Sequence, residues 1–265
     1  MSVSPATNTD GPQQVTGSAF GLSFESNLNL SFCGCGFLGL YHLGVATKFA
    51  QCGRRFLSQV DRYAGASAGS LVACLLGIIG PDVRIIDKCC VFSYDLAQKT
   101  EETWFGVLSP RSNLLRPLEV FLYDLLPNDA HQVATGRLFL SLTNKQSSRN
   151  VIVSDFDSND HLVQCLLASC CLPYLTTGPN AVKINGERHL DGGLTNNLPI
   201  LTKGRTVTVS PFCGRHDVSP QDLDSWCGVH VNVLRQDFRV NVNNVIRAVH
   251  TLVPPNTAQL RTYFK

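Results

Sequence analysis

Residues Arg62–Ile78 read RYAGASAGSLVACLLGI and contain G-x-S-x-G at Gly65–Gly69. A β-rich run precedes the motif and helically spaced apolar residues follow it. The chain must therefore pass from strand to helix within five small residues. This passage restricts the fold more than any other stretch, because it suits the nucleophile elbow, a sharp strained turn that lifts one serine above a sheet. Ser67 is the candidate nucleophile. Gly65 and Gly69 leave room where strand and helix nearly touch, and a helix starting at Ala68 turns its first free amides toward the same point. A tight βα turn with no chemistry has the same composition, so other parts of the sequence must decide.

A second glycine motif lies upstream. Ser31–Gly39 reads SFCGCGFLG, with Gly34, Gly36 and Gly39 spaced as G-x-G-x-x-G between an alternating run and a helical one. Such a loop cradles either a dinucleotide pyrophosphate or the oxyanion of a reacting ester. The dinucleotide reading needs an acidic residue at the end of the next strand, about 20 residues on. Asp61 is near that distance but opens the predicted strand, whose end carries the GASAG turn. The oxyanion reading is preferred: backbone amides of Gly34, Cys35 and Gly36 would face Ser67, each such donor stabilising the transition state by about 3 kcal/mol.

An activated serine needs a base. Asp191 stands in HLDGGLTNNLP, after a predicted strand and before two glycines. Burial could raise the basicity of its carboxylate, although DGG read alone is ordinary turn chemistry. The rival is His216, in the loop SPFCGRHDVSP, which would make a Ser-His-Asp hydrolase. A histidine base loses activity as pH falls through roughly 6.5. An aspartate base retains it, unless burial lifts its pKa into the same window. The segment DFDSN at Asp155–Asn159 imitates the start of a calcium loop. The sixth and twelfth positions are Asp160 and Leu166 where glycine and glutamate are required, so a turn and helix cap are expected there.

Strands and helices alternate along the chain. Strands are expected at Asn29–Cys33, Val60–Ala64, Leu138–Thr143, Asn150–Ser154, Ala181–Leu190 and Arg205–Ser210, with a weaker one at Val229–Leu234. Helices are expected at Phe37–Gln51, Ala68–Ile79, Asp82–Gln98, Leu115–Leu126, Asp160–Cys170 and Asn241–Leu252. The alternation predicts an α/β layer fold with a mostly parallel sheet. Residues 1–27 contain no Lys or Arg and no apolar run. They read as a flexible polar tail without the marks of a signal peptide or presequence, and the expected location is cytoplasmic. The longest apolar stretches, such as Leu71–Gly80, fall short of the roughly 18 residues of a membrane span. A net charge of +2 is too small for a nucleic-acid footprint. The 11 cysteines show no zinc spacing and read as buried free thiols. Two segments, Thr103–Leu126 and Val242–Pro255, mix apolar and basic residues as interfacial elements do, though core helices share that pattern.

The motifs CGCGFLG, GASAG and DGG, in this order and spacing, resemble the patatin-like phospholipase family, in its animal acylglycerol-lipase branch. The resemblance extends from about Leu28 to Pro255 and includes GRTVTVSPFCGRHDVSPQD. It implies a patatin-like three-layer fold over residues 28–265, with helices flanking the sheet. It also implies a serine–aspartate dyad of Ser67 and Asp191, with Gly34, Cys35, Gly36 and Gly39 forming the oxyanion segment and Gly65 and Gly69 the elbow. Phe37 and Leu38 stand where many patatins carry a basic residue, as in that animal branch. The implied activity is hydrolysis of lipid acyl esters, triacylglycerol foremost, with transacylase, phospholipase and retinyl-ester activities in the same family. No cofactor or metal is expected, and the implied partner is the surface of a membrane or lipid droplet. A catalytically silent lipid-binding member of the family remains the other reading.

Overall fold

A computed structural model describes residues 28–101, 113–222 and 228–264. The predicted tail and residues 103–112 of the first interfacial segment lie outside them.

Seven strands form one sheet: β1 (Leu28–Phe32), β2 (Val60–Gly65), β3 (Leu138–Asn144), β4 (Asn150–Val153), β5 (Val182–Ile184), β6 (Glu187–Asp191) and β7 (Arg205–Val209). The order is β5-β6-β3-β2-β1-β7, with β4 also paired to β3. The four strands β3, β2, β1 and β7 run parallel. The additions β4, β5 and β6 are antiparallel. Strand β1 is buried on both faces: Leu30 and Phe32 lie in the core, and so do Asn29 and Ser31. Asn29 satisfies its amide on the carbonyl of Lys203 at 2.7 Å. A strand covered on both sides is the expected centre of a parallel sheet.

Nine helices are described: α1 (Gly39–Cys52), α2 (Arg54–Leu57), α3 (Ala68–Cys74), α4 (Val83–Glu101), α5 (Leu115–Leu125), α6 (Ala130–Ala134), α7 (Asn159–Ser169), α8 (Val242–Leu252) and α9 (Thr257–Phe264). Helix α3 continues as a wider π turn through Leu75–Ile79 before Gly80, so the predicted Ala68–Ile79 helix changes pitch midway. It packs on β1, β2 and β3, while α7 packs on β3, β5 and β6. The main core gathers Tyr63, Leu138, Leu140, Leu142, Leu162 and Leu166 between these layers.

The Ser158 hydroxyl caps α7 by accepting the amide of His161 at 3.1 Å, as the cap reading of DFDSN requires. The expected strand Ala181–Leu190 is two strands turned by Asn185–Gly186, both at positive φ, the hairpin geometry that an Asn-Gly pair favours. A separate hairpin pairs β8 (His230–Val233) with β9 (Gln236–Arg239). Strand β9, with the helices α2, α6 and α9, has no counterpart in the sequence reading. All four are short, and QDFR or RRFL carries no apolar period to signal an element.

Candidate active site

The sheet register brings the three motifs to one level. Phe32 of β1 pairs with Gly65 of β2, and Gly65 pairs with Leu140 of β3. Two residues further along each strand stand Gly34, Ser67 and Leu142, and Leu142 pairs with Asp191 of β6. The glycine loop and the elbow thus leave β1 and β2 at their carboxyl ends, and the aspartate, ending the antiparallel β6, lies at the same level, where α/β sheets place their binding crevices.

Ser67 adopts φ 50° and ψ −131°, a strained conformation for a residue with a side chain. Neighbouring groups hold it there. The amide of Ser67 donates to Ser169 Oγ at 3.0 Å, and Ser169 Oγ donates to the carbonyl of Ser141 at 2.9 Å. Gly65 and Gly69 touch backbone to backbone, and a Cβ on Gly69 would overlap the carbonyls of Phe32 and Cys33. The amide of Ala68, first in α3, has no backbone partner among the described residues.

The oxyanion segment divides its roles. The amide of Gly34 donates to the carbonyl of Asn197 at 3.0 Å, so it is not available to a substrate, and the expectation for Gly34 as a donor is corrected. Gly34 instead lies flush against Ser67, its missing Cβ leaving 3.1 Å to that of the serine. Cys35 and Gly36 keep amides without backbone partners among the described residues. Gly36 has φ +50°, and a side chain there would overlap the carbonyl of Thr251 in α8. Gly39 opens α1 with Ala68 close against it.

Asp191 is 2% exposed. Burial lifts its carboxyl from 3.8 to about 7, against the opposing pull of Ser67 and of the Gly193 amide. That amide donates to Oδ1 at 2.7 Å. Ser67 lies near enough to favour the charged carboxylate, yet Oδ2 has no well-formed hydrogen bond. A pKa near 7 removes the predicted contrast in pH dependence between an aspartate and a histidine base. Polar side chains fix the turn: Thr143 Oγ1 donates to the carbonyl of Asp191 at 2.7 Å, and Ser141 Oγ to that of Asn196 at 2.9 Å.

Asn197 and Ser169 carry no role in the sequence reading. Asn197 Nδ2 donates to the carbonyl of Gly34 at 3.0 Å and to Gln236 Oε1, tying the glycine loop to the DGG turn and to β9. Cys170 lines the same cavity within reach of Ser67 and Asp191, and burial raises its thiol pKa well above the usual range, leaving it uncharged beside the nucleophile. His216 is absent from the cavity lining. It sits in the turn after β7, and burial lowers its pKa.

A cavity of about 450 Å³ is lined by Ser67 and Asp191 and, apart from Ser93, Thr176, Asn197 and Thr251, by apolar side chains, cysteines and glycines. Leu71, Phe92, Leu118, Phe121 and Leu172 contribute to its wall, and Phe92 and Phe121 stack with centroids 4.2 Å apart. This is a site for a long hydrocarbon with one polar reacting end. Among the described residues one group could hold a metal: Cys33, Cys35 and His42, with ligand atoms within 4.8 Å of one another. His42 Nε2 is already bonded to the carbonyl of Cys33 at 2.9 Å, and metal ligation through that atom would forfeit the bond.

A model of the patatin-like phospholipases matches residues 30–202. Patatin-like phospholipase domain-containing protein 4 of Homo sapiens is 40% identical over 90% of this chain and 92% of its own. Patatin-like phospholipase domain-containing protein 2 of Homo sapiens is 36% identical over 91% of this chain and 47% of its own. A 1-acylglycerol-3-phosphate O-acyltransferase of Mus musculus is 35% identical over 87% and 54%. The chain thus spans about half the length of the latter two. Among solved structures, VipD from Legionella pneumophila aligns at a TM-score of 0.39 and 14% identity, over 69% of this chain and 49% of that one.

Proposed function

The chain belongs to the patatin-like phospholipase family, and from that premise we propose that it is a serine lipase cleaving acyl esters of lipids, triacylglycerol first, with a Ser67–Asp191 dyad. The supporting observation is the shared level of Gly34, Ser67 and Asp191 at the sheet's carboxyl end, opening on an apolar cavity. Ser67 Oγ attacks the ester carbonyl and its proton passes to the free Oδ2 of Asp191. The amides of Cys35, Gly36 and Ala68 hold the oxyanion. Asp191 then returns the proton to the departing alkoxide, leaving an acyl-enzyme. Water, deprotonated by the same carboxylate, releases the fatty acid. A carboxyl pKa near 7 suits a group that must both take and give a proton at neutral pH.

Another alcohol can replace water at the second step. Transacylation, phospholipid cleavage and retinyl-ester turnover are extensions of the same chemistry, and a relative named as an acyltransferase supports including the first of them. The protein works in the cytoplasm at the surface of a membrane or lipid droplet. No helix among the described residues is long and apolar enough to cross a membrane. The test is purified protein against a panel of lipid esters, with a fluorophosphonate probe and Ser67→Ala in parallel. Fatty-acid release and labelling that vanish together in a folded Ser67→Ala variant are the expected result. Turnover retained in that variant would falsify the mechanism.

A further inference from the structure

Helix α8 is built inside out. Its apolar residues Val242, Val245, Ile246, Val249 and Leu252 fall at i, i+3, i+4, i+7 and i+10, one stripe of a helix, and Val253 follows at its end. All six are exposed, Val242 by 74% and Val245 by 63%. The inward side is polar. Asn244 is buried and gives Nδ2 to the carbonyls of Cys213 and Arg239 at 2.7 and 2.8 Å, while its Oδ1 accepts the amide of Cys213 at 2.9 Å. Arg247 forms a two-pronged pair with Asp222 at 2.7 and 2.8 Å. His250 Nδ1 meets the hydroxyl of Tyr263 at 2.8 Å. A surface helix of a water-soluble protein ordinarily has the opposite arrangement, apolar in and polar out.

The stripe leads to the cavity. Leu252 is both 41% exposed and part of the cavity lining, as is Leu194 at 42%, so these two residues mark its rim. The preceding residue, Thr251, presses its carbonyl against Gly36 of the oxyanion segment. The stripe carries no charged side chain, and α8 contains no Asp or Glu. An anionic or zwitterionic surface therefore meets no repulsion there.

We infer that the outward face of α8 seats on a lipid surface and sets the cavity rim at Leu194 and Leu252 against it. The inference rests on the reading of the cavity as an acyl site, because only then does a lipid phase supply both the cover for the stripe and the substrate for the cavity. Contact with Gly36 places the oxyanion segment directly behind the docking helix.

The test uses the full chain with the double substitution Val245→Asp/Val249→Asp. Both positions are solvent-facing and outside the cavity lining, and a thermal melt checks that the fold is kept. Flotation with phosphatidylcholine vesicles should show the bound fraction falling at least about tenfold. Hydrolysis of emulsified triacylglycerol should fall in parallel, with turnover of a soluble short-chain ester within about twofold of wild type. As a readout independent of catalysis, Val245→Trp should be quenched by vesicles of brominated phosphatidylcholine. Unchanged flotation of the double variant, or no quenching at Trp in that position, overturns the inference. So does light scattering that shows a dimer abolished by the same substitutions, since the stripe then belongs to a second copy. Vesicle docking through α8 in a protein that cleaves no ester leaves the docking surface standing and refutes the lipase reading instead.

Discussion

The carboxyl of Asp191 links activity and stability through one proton. In the fold its pKa is about 7 against an ordinary 3.8, because burial penalises the charged form. The folded protein therefore holds this proton over a range in which the unfolded chain has lost it. The stabilising contribution is complete below pH 3.8 and declines as pH rises toward 7, where the folded state ionises as well. Between pH 5 and pH 8 the loss is roughly 3 kcal/mol, which in a chain of this size is about 6–12 °C in Tm. Activity moves the opposite way. About a tenth of the carboxyl is ionised at pH 6 and about nine tenths at pH 8, so kcat/KM should climb nearly tenfold between them. Asp191→Asn removes the proton equilibrium and keeps the shape. Its Tm relative to wild type should therefore rise from pH 5 to pH 8 by that amount, and its turnover should be lower by at least about 10³-fold. Paired melts across pH, with turnover of a soluble ester in the same buffers, measure both. A difference in Tm that stays constant over that range, or a flat kcat/KM, refutes a buried base of raised pKa.

Other substitutions separate the parts of the site. His216→Ala should lower turnover by less than about tenfold; a dead His216→Ala beside a nearly normal Asp191→Asn hands the base to the histidine. Ser169→Ala leaves the half-buried amide of Ser67 without its acceptor, a loss of about 1–3 kcal/mol, and kcat should drop about ten- to a hundredfold with KM little changed. A matched rise in KM would mean that Ser169 shapes the cavity and not the serine. Gly36→Val meets both a positive φ and the carbonyl of Thr251. It should reduce turnover more than binding of a non-cleavable ester analogue, and equal losses would make the loop a general binding surface.

What the sequence disclosed follows from how local each requirement is. The elbow and the glycine loop were legible because close approach of strand, helix and reacting carbonyl demands small residues at fixed short spacing, and flanking periodicity marks them as strand ends. Asp191 was less legible, since DGG serves any turn, and family resemblance singled it out. Ser169 and Asn197 were not legible at all. Their partners lie 102 and 163 residues away in the chain, and a lone serine or asparagine gives no hint of contacts that the sheet creates. Gly34 shows the converse: its position in the motif was readable, but the use of its amide depended on where Asn197 fell. For α8 the periodicity was plain, and it specified a stripe without specifying whether that stripe faced the core or the solvent.

The arrangement also explains why so many polar side chains lie buried beneath a mostly apolar cavity. A serine at positive φ and a carboxyl pushed toward pH 7 are both held away from their local preferences, and neither would persist on a pliant support. Ser141 joins the two. Its carbonyl receives Ser169, which in turn holds the amide of Ser67, and its hydroxyl secures the turn that follows Asp191. Asn150 adds to this by donating to Ser141 Oγ at 2.8 Å and to the carbonyl of Leu142 at 2.9 Å. Nucleophile and base are thus anchored on one strand, β3, which runs between the strands that carry them. Strain at one is resisted by the same hydrogen bonds that fix the other, so the two groups keep their relative position without needing to be neighbours in the sheet.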